Sequence, residues 1–179
     1  KILNLKKLMQ KFISPKVDKV GVEDRVNRIT SRSIKNEAKI QGLKMALNMI
    51  DLTTLEGMDT KNKVVQMCYK AQHLHDEIRD LPSVAAVCVY PNLVKEAKLS
   101  IGKYKIPIAS VATGFPTGQI PESIKISEIK AAIRDGAREI DVVINRDKVL
   151  TGKWKALYED IKQYKKICGQ NHLKVIIGA

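Results

Sequence analysis

Residues 126–145, ISEIKAAIRDGAREIDVVIN, hold one helix followed by one strand, and this unit decides the fold. Isoleucines recur at helical spacing in its first half, and Gly136 is a natural helix end. The strand that follows, Glu139-Ile140-Asp141-Val142-Val143-Ile144-Asn145, is almost continuously apolar. Such strands are typical of parallel sheets, in which both faces are covered.

A single acid, Asp141, interrupts that apolar strand. An unpaired charge is costly in a dry interior, so stability alone does not favour a carboxylate there. Lys174 is a second anomaly, because it lies within the apolar run at residues 173–177. An acid and an amine on neighbouring buried strands indicate the interior of an active site. The alternative is an ion pair without a catalytic role, or a strand boundary that leaves either residue exposed to solvent.

The same alternation continues through most of the chain. Helical patterns separate five apolar strand patterns, at residues 49–55, 84–90, 106–112, 139–145 and 173–177. No glycine-rich phosphate fingerprint follows the first strand, which argues against a dinucleotide-binding fold. We therefore predict an α/β protein, a parallel (β/α)8 TIM barrel of which this chain supplies about the first five β/α units. A complete barrel takes about 250 residues, so we expect residues 35–179 to be the N-terminal part of one barrel domain, incomplete at its C-terminus.

Residues 1–34 form a basic N-terminal extension that contains no acid before Asp18. Apolar side chains between residues 2 and 12 recur near one helical face, and Ser14-Pro15 ends the pattern, which predicts a helix. A membrane-surface or targeting helix is the alternative to a terminal helix packed on the domain.

Composition limits the classes of function. The 179 residues are 44% hydrophobic, which is enough for one soluble domain with a core. No apolar run reaches the roughly 20 residues of a membrane span. Three separated cysteines, Cys68, Cys88 and Cys168, indicate reduced thiols and a cytoplasmic location. His73 and His75 would point apart on a helix, so we expect no metal site.

The formal net charge of +13 raises the question of nucleic-acid binding. The lysines are spread over predicted helix faces without interleaved aromatic residues or a groove-reading motif, so nucleic acid is not a favoured partner. The same charge suits the attraction of a small phosphorylated substrate.

The period-two geometry of strands predicts which side chains share the barrel interior with Asp141. The candidates are Asp51 and Thr53 on the first strand, Cys88 on the second and Lys174 on the fifth. Acids, a hydroxyl, a thiol and an amine that converge from several strands are typical of barrel active sites. Each residue alone has an ordinary alternative as a turn cap, a strand former or a core side chain.

Five strings, each on a predicted strand and in the same order, carry a family resemblance. They are DLTTL at 51–55, VCVYP at 87–91, IASV at 108–111 with GFPTG at 114–118, EIDVVIN at 139–145 and LKVII at 173–177. Together they resemble the eukaryotic type of deoxyribose-phosphate aldolase, from about Ile40 to the C-terminus. The resemblance implies a class I aldolase, without cofactor or metal, in deoxyribonucleotide catabolism. It implies the reversible splitting of 2-deoxy-D-ribose 5-phosphate into D-glyceraldehyde 3-phosphate and acetaldehyde through a lysine Schiff base.

The resemblance also implies roles for individual residues. Asp141 matches the acid/base aspartate of the family, and Lys174 matches a lysine that orients the polar network. Asp51, Thr53 and Cys88 match residues that line the sugar end of the pocket.

The family's Schiff-base lysine lies on the sixth strand and its phosphate loops follow the seventh and eighth, and none of these segments occurs before Ala179. We therefore expect the chain alone to lack lyase activity. One alternative is a non-catalytic binding module of the same fold that uses its basic surface. Another is a different Schiff-base or phosphosugar barrel enzyme, because one barrel hosts many chemistries. A homo-oligomer is compatible with each of these interpretations.

Overall fold

The computed structural model describes residues 16–75, 77–78 and 80–178. The chain divides into two compact units, Lys1–Ile40 and Gln41–Ala179. In the described part of the first unit, helix α1 (Lys19–Thr30) begins where Asp18 Oδ1 accepts a hydrogen bond from the Gly21 N–H at 3.1 Å. The helix predicted between residues 2 and 12 lies outside the described residues.

Helices and strands alternate along the rest of the described chain. In order they are α2 (Asn36–Asn48), β1 (Asp51–Thr53), α3 (Lys61–Gln72), β2 (Ala86–Val89), a 3₁₀ turn (Pro91–Leu93), α4 (Val94–Ile101), β3 (Ile108–Ala112), α5 (Glu122–Asp135), β4 (Glu139–Val143), α6 (Arg146–Leu150), α7 (Trp154–Cys168) and β5 (His172–Ile176). None of the described helices is long and apolar enough to cross a membrane.

The sheet is wound in one direction only. Its five described strands are parallel, and each pairs with its neighbour in chain order, β1-β2-β3-β4-β5. Right-handed crossovers between such strands place all the connecting helices on one face of the sheet. A doubly wound sheet reverses its strand order instead. The observed order confirms the predicted α/β fold and is consistent with part of a TIM barrel.

The two faces of the sheet differ in character. The face toward the helices carries the main apolar core, with contributions from Val87, Val89, Ile108, Ile140 and Val142. The opposite face has only a small apolar cluster, formed by Ala86, Cys88, Ala109 and Val111. We call this second face the inner face.

The first four strands are shorter than predicted, and β5 keeps its predicted length but begins one residue earlier, at His172. β1 covers Asp51–Thr53 rather than residues 49–55, and β4 ends at Val143 rather than at Asn145. Asn145 instead caps α6, because its Oδ1 accepts a hydrogen bond from the Asp147 N–H at 3.1 Å. Helix α6 itself was not predicted.

The turn that follows β3 is fixed by two side chains. Thr113 is buried with φ of 63°, and its hydroxyl donates to the Val143 carbonyl at 2.9 Å and accepts from the Val143 N–H at 2.7 Å. Glu128 on α5 accepts a hydrogen bond from the Gly114 N–H at 2.9 Å. The Thr113 bonds fasten the end of β3 to β4, two residues beyond Asp141, and the Glu128 bond fastens the turn to α5.

Candidate active site

Four charged side chains meet on the inner face. Lys174 and Asp141 are partners in the β4–β5 register, Glu139 lies two residues before Asp141 on the same face, and Asp51 comes from β1. The Lys174 Nζ lies 2.5 Å from Asp51 Oδ2, 3.1 Å from Glu139 Oε2 and 3.3 Å from Asp141 Oδ1. We call these four residues the charged cluster.

The contact between Lys174 and Asp51 shows that the sheet is curved. β1 and β5 are the first and last strands in the sheet order. Four spacings of about 4.8 Å would separate them by about 19 Å in a flat sheet, which is farther than the two side chains can reach. The strands must therefore curl around the inner face, as they do in a barrel.

Asp141 has the least exposed side chain of the cluster, at 14%, against 31% for Lys174. Lys174 donates a short hydrogen bond to Asp51, whereas its contact with Asp141 Oδ1 is a longer and less well aligned ion pair at 3.3 Å. Asp141 Oδ1 is consequently buried with no hydrogen-bond partner among the described residues. A buried acceptor without a donor is costly, so this oxygen is suited to accept a hydrogen bond from a bound molecule.

The pKa values in the cluster shift in directions that matter for chemistry. Burial raises the pKa of Asp141 above its usual range, and the charges of Asp51 and Glu139 add to this effect while Lys174 opposes it. Burial also acts to lower the pKa of Lys174, but its close contacts with the carboxylates of Asp51 and Glu139 and the charge of Asp141 outweigh burial and raise the pKa overall. Lys174 therefore stays a cation at neutral pH, and Asp141 is a carboxylate that gains a proton more readily than most.

Cys88 and Thr53 border the cluster on β2 and β1. Cys88 is buried, and burial together with the Asp141 charge raises the pKa of its thiol to about 12. Thr53 is the register partner of Cys88, is exposed, and donates its hydroxyl to the Asp51 carbonyl at 2.9 Å. The structure thus brings Asp51, Asp141 and Lys174 into contact, with Cys88 within their electrostatic influence and Thr53 at the rim.

Glu139 was not among the predicted site residues. The signal that identifies it is the period of two along β4, because Glu139 lies two residues before Asp141 and so must share its face. In the structure Glu139 Oε2 is closer to the Lys174 amine than Asp141 is.

The cluster is more than the plain ion pair of the structural alternative. Three carboxylates surround one ammonium, so the acids outnumber the cation, and one of their oxygens has no donor. Among the described residues, no group of three or more His, Cys, Asp or Glu side chains has the geometry to hold a metal ion. A cleft of about 540 Å³ elsewhere, lined by residues such as His73 and Tyr104, contains no member of the cluster. We place the candidate site at the cluster because the unpartnered carboxylate lies there.

The fold and the cluster together define a (β/α)-barrel protein with paired acid and amine groups on its inner face. A family profile described as DeoC/LacD family aldolase matches residues 45–179. The chain therefore belongs to the DeoC/LacD aldolase family.

Individual relatives agree with this family. The deoxyribose-phosphate aldolase of Bos taurus is 45% identical over 173 residues, which cover 90% of this chain and 54% of the relative. The Homo sapiens deoxyribose-phosphate aldolase is 46% identical over 157 residues, covering 82% of this chain and 49% of the relative. A solved structure described as QR15, an aldolase, has a TM-score of 0.64 at 30% identity and covers 73% of this chain and 54% of that chain. The chain spans about half the length of the curated relatives it matches.

Proposed function

We propose that this chain is the Asp141-bearing part of a deoxyribose-phosphate aldolase. The reaction is the reversible cleavage of 2-deoxy-D-ribose 5-phosphate to D-glyceraldehyde 3-phosphate and acetaldehyde, through a lysine Schiff base and without a metal or cofactor. Family membership and the names of the relatives support this proposal. The observation that carries it is the buried, unpartnered Oδ1 of Asp141 beside a charged amine.

Asp141 is the acid/base residue in this proposal. In retro-aldol cleavage a base takes the proton of the hydroxyl at the breaking carbon–carbon bond. The electron pair of that bond becomes the C=C bond of an enamine, and the C=N electron pair of the iminium moves onto its nitrogen. An acid then protonates the resulting enamine. The raised pKa of Asp141 supports both roles, because the best acid/base catalysts have pKa values nearer to the working pH than an exposed aspartate has.

Lys174 orients the cluster in this proposal and is not the nucleophile. An amine attacks a carbonyl only when it is uncharged, and the raised pKa of Lys174 keeps it protonated. We assign the Schiff base to a different lysine. Asp51, Thr53 and Cys88 line the sugar end of the pocket.

Trapping with borohydride tests this proposal. The full-length polypeptide that contains residues 1–179 is incubated with 2-deoxy-D-ribose 5-phosphate and borohydride, and the adduct is mapped by mass spectrometry. We expect an adduct on a lysine other than Lys174, and its appearance on Lys174 would contradict the assignment.

Substitution of Asp141 tests its role directly. We expect Asp141→Asn to lower kcat by about 10²-fold or more while an adduct can still be trapped, because general acid/base catalysis contributes that much. Glu159→Gln, which removes one acid from the exposed surface of α7, is the matched control and should keep the wild-type rate. A wild-type rate in Asp141→Asn would refute the acid/base role.

We also propose a cytoplasmic location and self-association. The three free, buried cysteines support a reducing compartment. The exposed apolar side chains of Leu150 and Trp154 support a contact between copies of the protein. Cell fractionation and analytical ultracentrifugation of the full-length protein test these two points.

A further inference from the structure

We propose that Glu139 is a positioning residue which, with Asp51, holds the Lys174 ammonium so that its contact with Asp141 Oδ1 stays longer and less well aligned than its hydrogen bond to Asp51. Asp141 Oδ1 is thereby kept open for a hydroxyl group or a water molecule. The use of that open oxygen rests on the proposed function, whereas the position of the amine does not.

The register makes the observed position of the amine unexpected. Asp141 and Lys174 are direct partners on adjacent parallel strands, so their side chains leave the same face of the sheet side by side and a direct hydrogen bond between them would be expected. Lys174 instead donates to Asp51 at 2.5 Å, on the far side of the curved sheet. Its next nearest oxygen is Glu139 Oε2 at 3.1 Å, and Asp141 Oδ1 is the most distant of the three at 3.3 Å.

Glu139 is placed to cause this position. It precedes Asp141 by two residues on the same face of β4, so its carboxylate lies toward the start of the strand. The pull of Glu139 on the ammonium is therefore directed along β4 and away from Asp141. Asp51 accepts a hydrogen bond from the ammonium across the inner face and so also draws it away from Asp141. The ammonium has three N–H groups, so the two acceptors act by fixing its position rather than by using up its donors. With either acceptor removed, the ammonium is free to shift toward Asp141.

Among the described residues, the titratable groups that face Asp141 come one from each of four strands and can be tested one at a time. β1 contributes Asp51, β2 contributes Cys88, β4 contributes Glu139 and β5 contributes Lys174. The inner-face residues of β3 are Ala109 and Val111, which do not titrate. Two explanations of Glu139 then compete: it holds the amine, or it acts on Asp141 only as a nearby like charge.

Two substitutions separate these explanations. Glu139→Gln removes the charge and keeps the length of the side chain. Glu139→Asp keeps the charge but shortens the side chain by one methylene, which withdraws it from the amine. Glu159→Gln on the exposed surface of α7 is the control. Circular dichroism confirms that each variant is folded before it is compared.

The measurement is an NMR titration of aspartate carboxyl carbons in the full-length polypeptide, with the Asp141 signal identified by its loss in Asp141→Asn. If Glu139 holds the amine, the Asp141 midpoint falls by about one pH unit in both Glu139 variants, because a full hydrogen bond from a cation stabilises the carboxylate. It stays unchanged in Glu159→Gln. If the midpoint falls in Glu139→Gln alone, Glu139 acts on Asp141 only by charge repulsion. If the midpoint is unchanged in both variants, Glu139 has no influence on Asp141. Either result overturns the proposal.

The result also separates this inference from the proposed function. If the titration shifts as expected but the wild-type protein shows no cleavage of 2-deoxy-D-ribose 5-phosphate, the positioning role stands and the proposed function fails. If cleavage occurs and neither variant moves the midpoint, the positioning role fails alone. When both hold, the acidic limb of the kcat/KM profile moves to lower pH in both Glu139 variants.

Discussion

Replacement of Lys174 by methionine is the most informative perturbation of the charged cluster. Methionine keeps the length and much of the volume of the side chain but removes the ammonium. Asp51, Glu139 and Asp141 are then left facing one another, within a few ångströms of the position that Nζ occupied. We expect the variant to be destabilised at neutral pH.

The size of the effect follows from distance and exposure. Two unit charges 4 Å apart interact by about 4 kcal/mol near a protein surface and by about 1 kcal/mol in water. Removal of one partner from a fully buried pair costs about 3–5 kcal/mol. Because Lys174 and Asp51 each keep 31% of their side-chain exposure, solvent screens part of this energy. We expect a loss of about 2–3 kcal/mol in the free energy of unfolding at pH 7.

The loss should depend on pH. Without the lysine, the already raised pKa of Asp141 rises further. Between the unfolded aspartate pKa of about 3.9 and the folded value, the folded protein then binds more protons than the unfolded chain, so stability falls as pH rises. The difference between wild type and Lys174→Met is therefore smallest below about pH 4 and complete at pH 7.

Urea unfolding of the full-length polypeptide at pH 4 and pH 7, followed by circular dichroism, measures both quantities. Lys153→Met is the matched control, because its ion pair with Asp147 at 3.8 Å joins side chains that are 59% and 53% exposed. Such an exposed pair contributes between about 0 and 1 kcal/mol. Equal stability of Lys174→Met and wild type at pH 7, or the same loss at both pH values, would refute the reasoning.

Three further predictions concern the turn and the inner face. Thr113→Val removes the hydroxyl that bridges to the β4 main chain and should cost about 1–3 kcal/mol in urea unfolding. Thr117→Val removes only the longer, exposed hydrogen bonds of 3.3 and 3.4 Å within the turn and should cost less. A small effect at Thr113 would show that the bridge does not fasten the strands. Because the pKa of the Cys88 thiol is raised to about 12, we expect it to react with iodoacetamide at pH 8 about 10³-fold more slowly in the folded than in the urea-unfolded protein. Mass spectrometry of the alkylated peptide measures both rates. Similar rates would contradict the burial of Cys88. Gly118→Ala should cost more than about 1 kcal/mol, because φ of Gly118 is +70° and a Cβ would lie 2.9 Å from the Ile144 carbonyl oxygen. Gly42→Ala, which places its methyl group in open space, should stabilise α2 by about 0.5–1 kcal/mol. Equal thermal midpoints of the two variants would contradict this.

The sequence is sufficient to predict the parallel α/β fold because most of its strands are largely apolar and three of its helices, α4, α5 and α7, end at glycines. Gly136 and Gly169 follow α5 and α7 at the predicted places. The ends of the strands are less well predicted, because apolar character continues past the last ladder hydrogen bond. Asn145 illustrates this limit, because it caps α6, a helix of five residues that is too short to show a helical pattern in the sequence.

The members of the site were largely predictable, but their contacts were not. Alternation along strands places Asp51, Asp141 and Lys174 on one face, and the same rule would have added Glu139. Which carboxylate receives the hydrogen bond from Lys174 depends on the curvature of the whole sheet. That curvature arises from the twist of all five strands together and has no signature in any one segment.

The ion pair between Lys174 and Asp51 joins residues 123 positions apart in the sequence. It can form only when the strands between them have assembled and curled, so we expect it to be absent from the transition state for folding. Contacts of this kind change the unfolding rate and leave the folding rate nearly unaltered. The charged cluster is therefore expected to set how long the folded sheet persists, and to have little influence on how quickly the sheet forms.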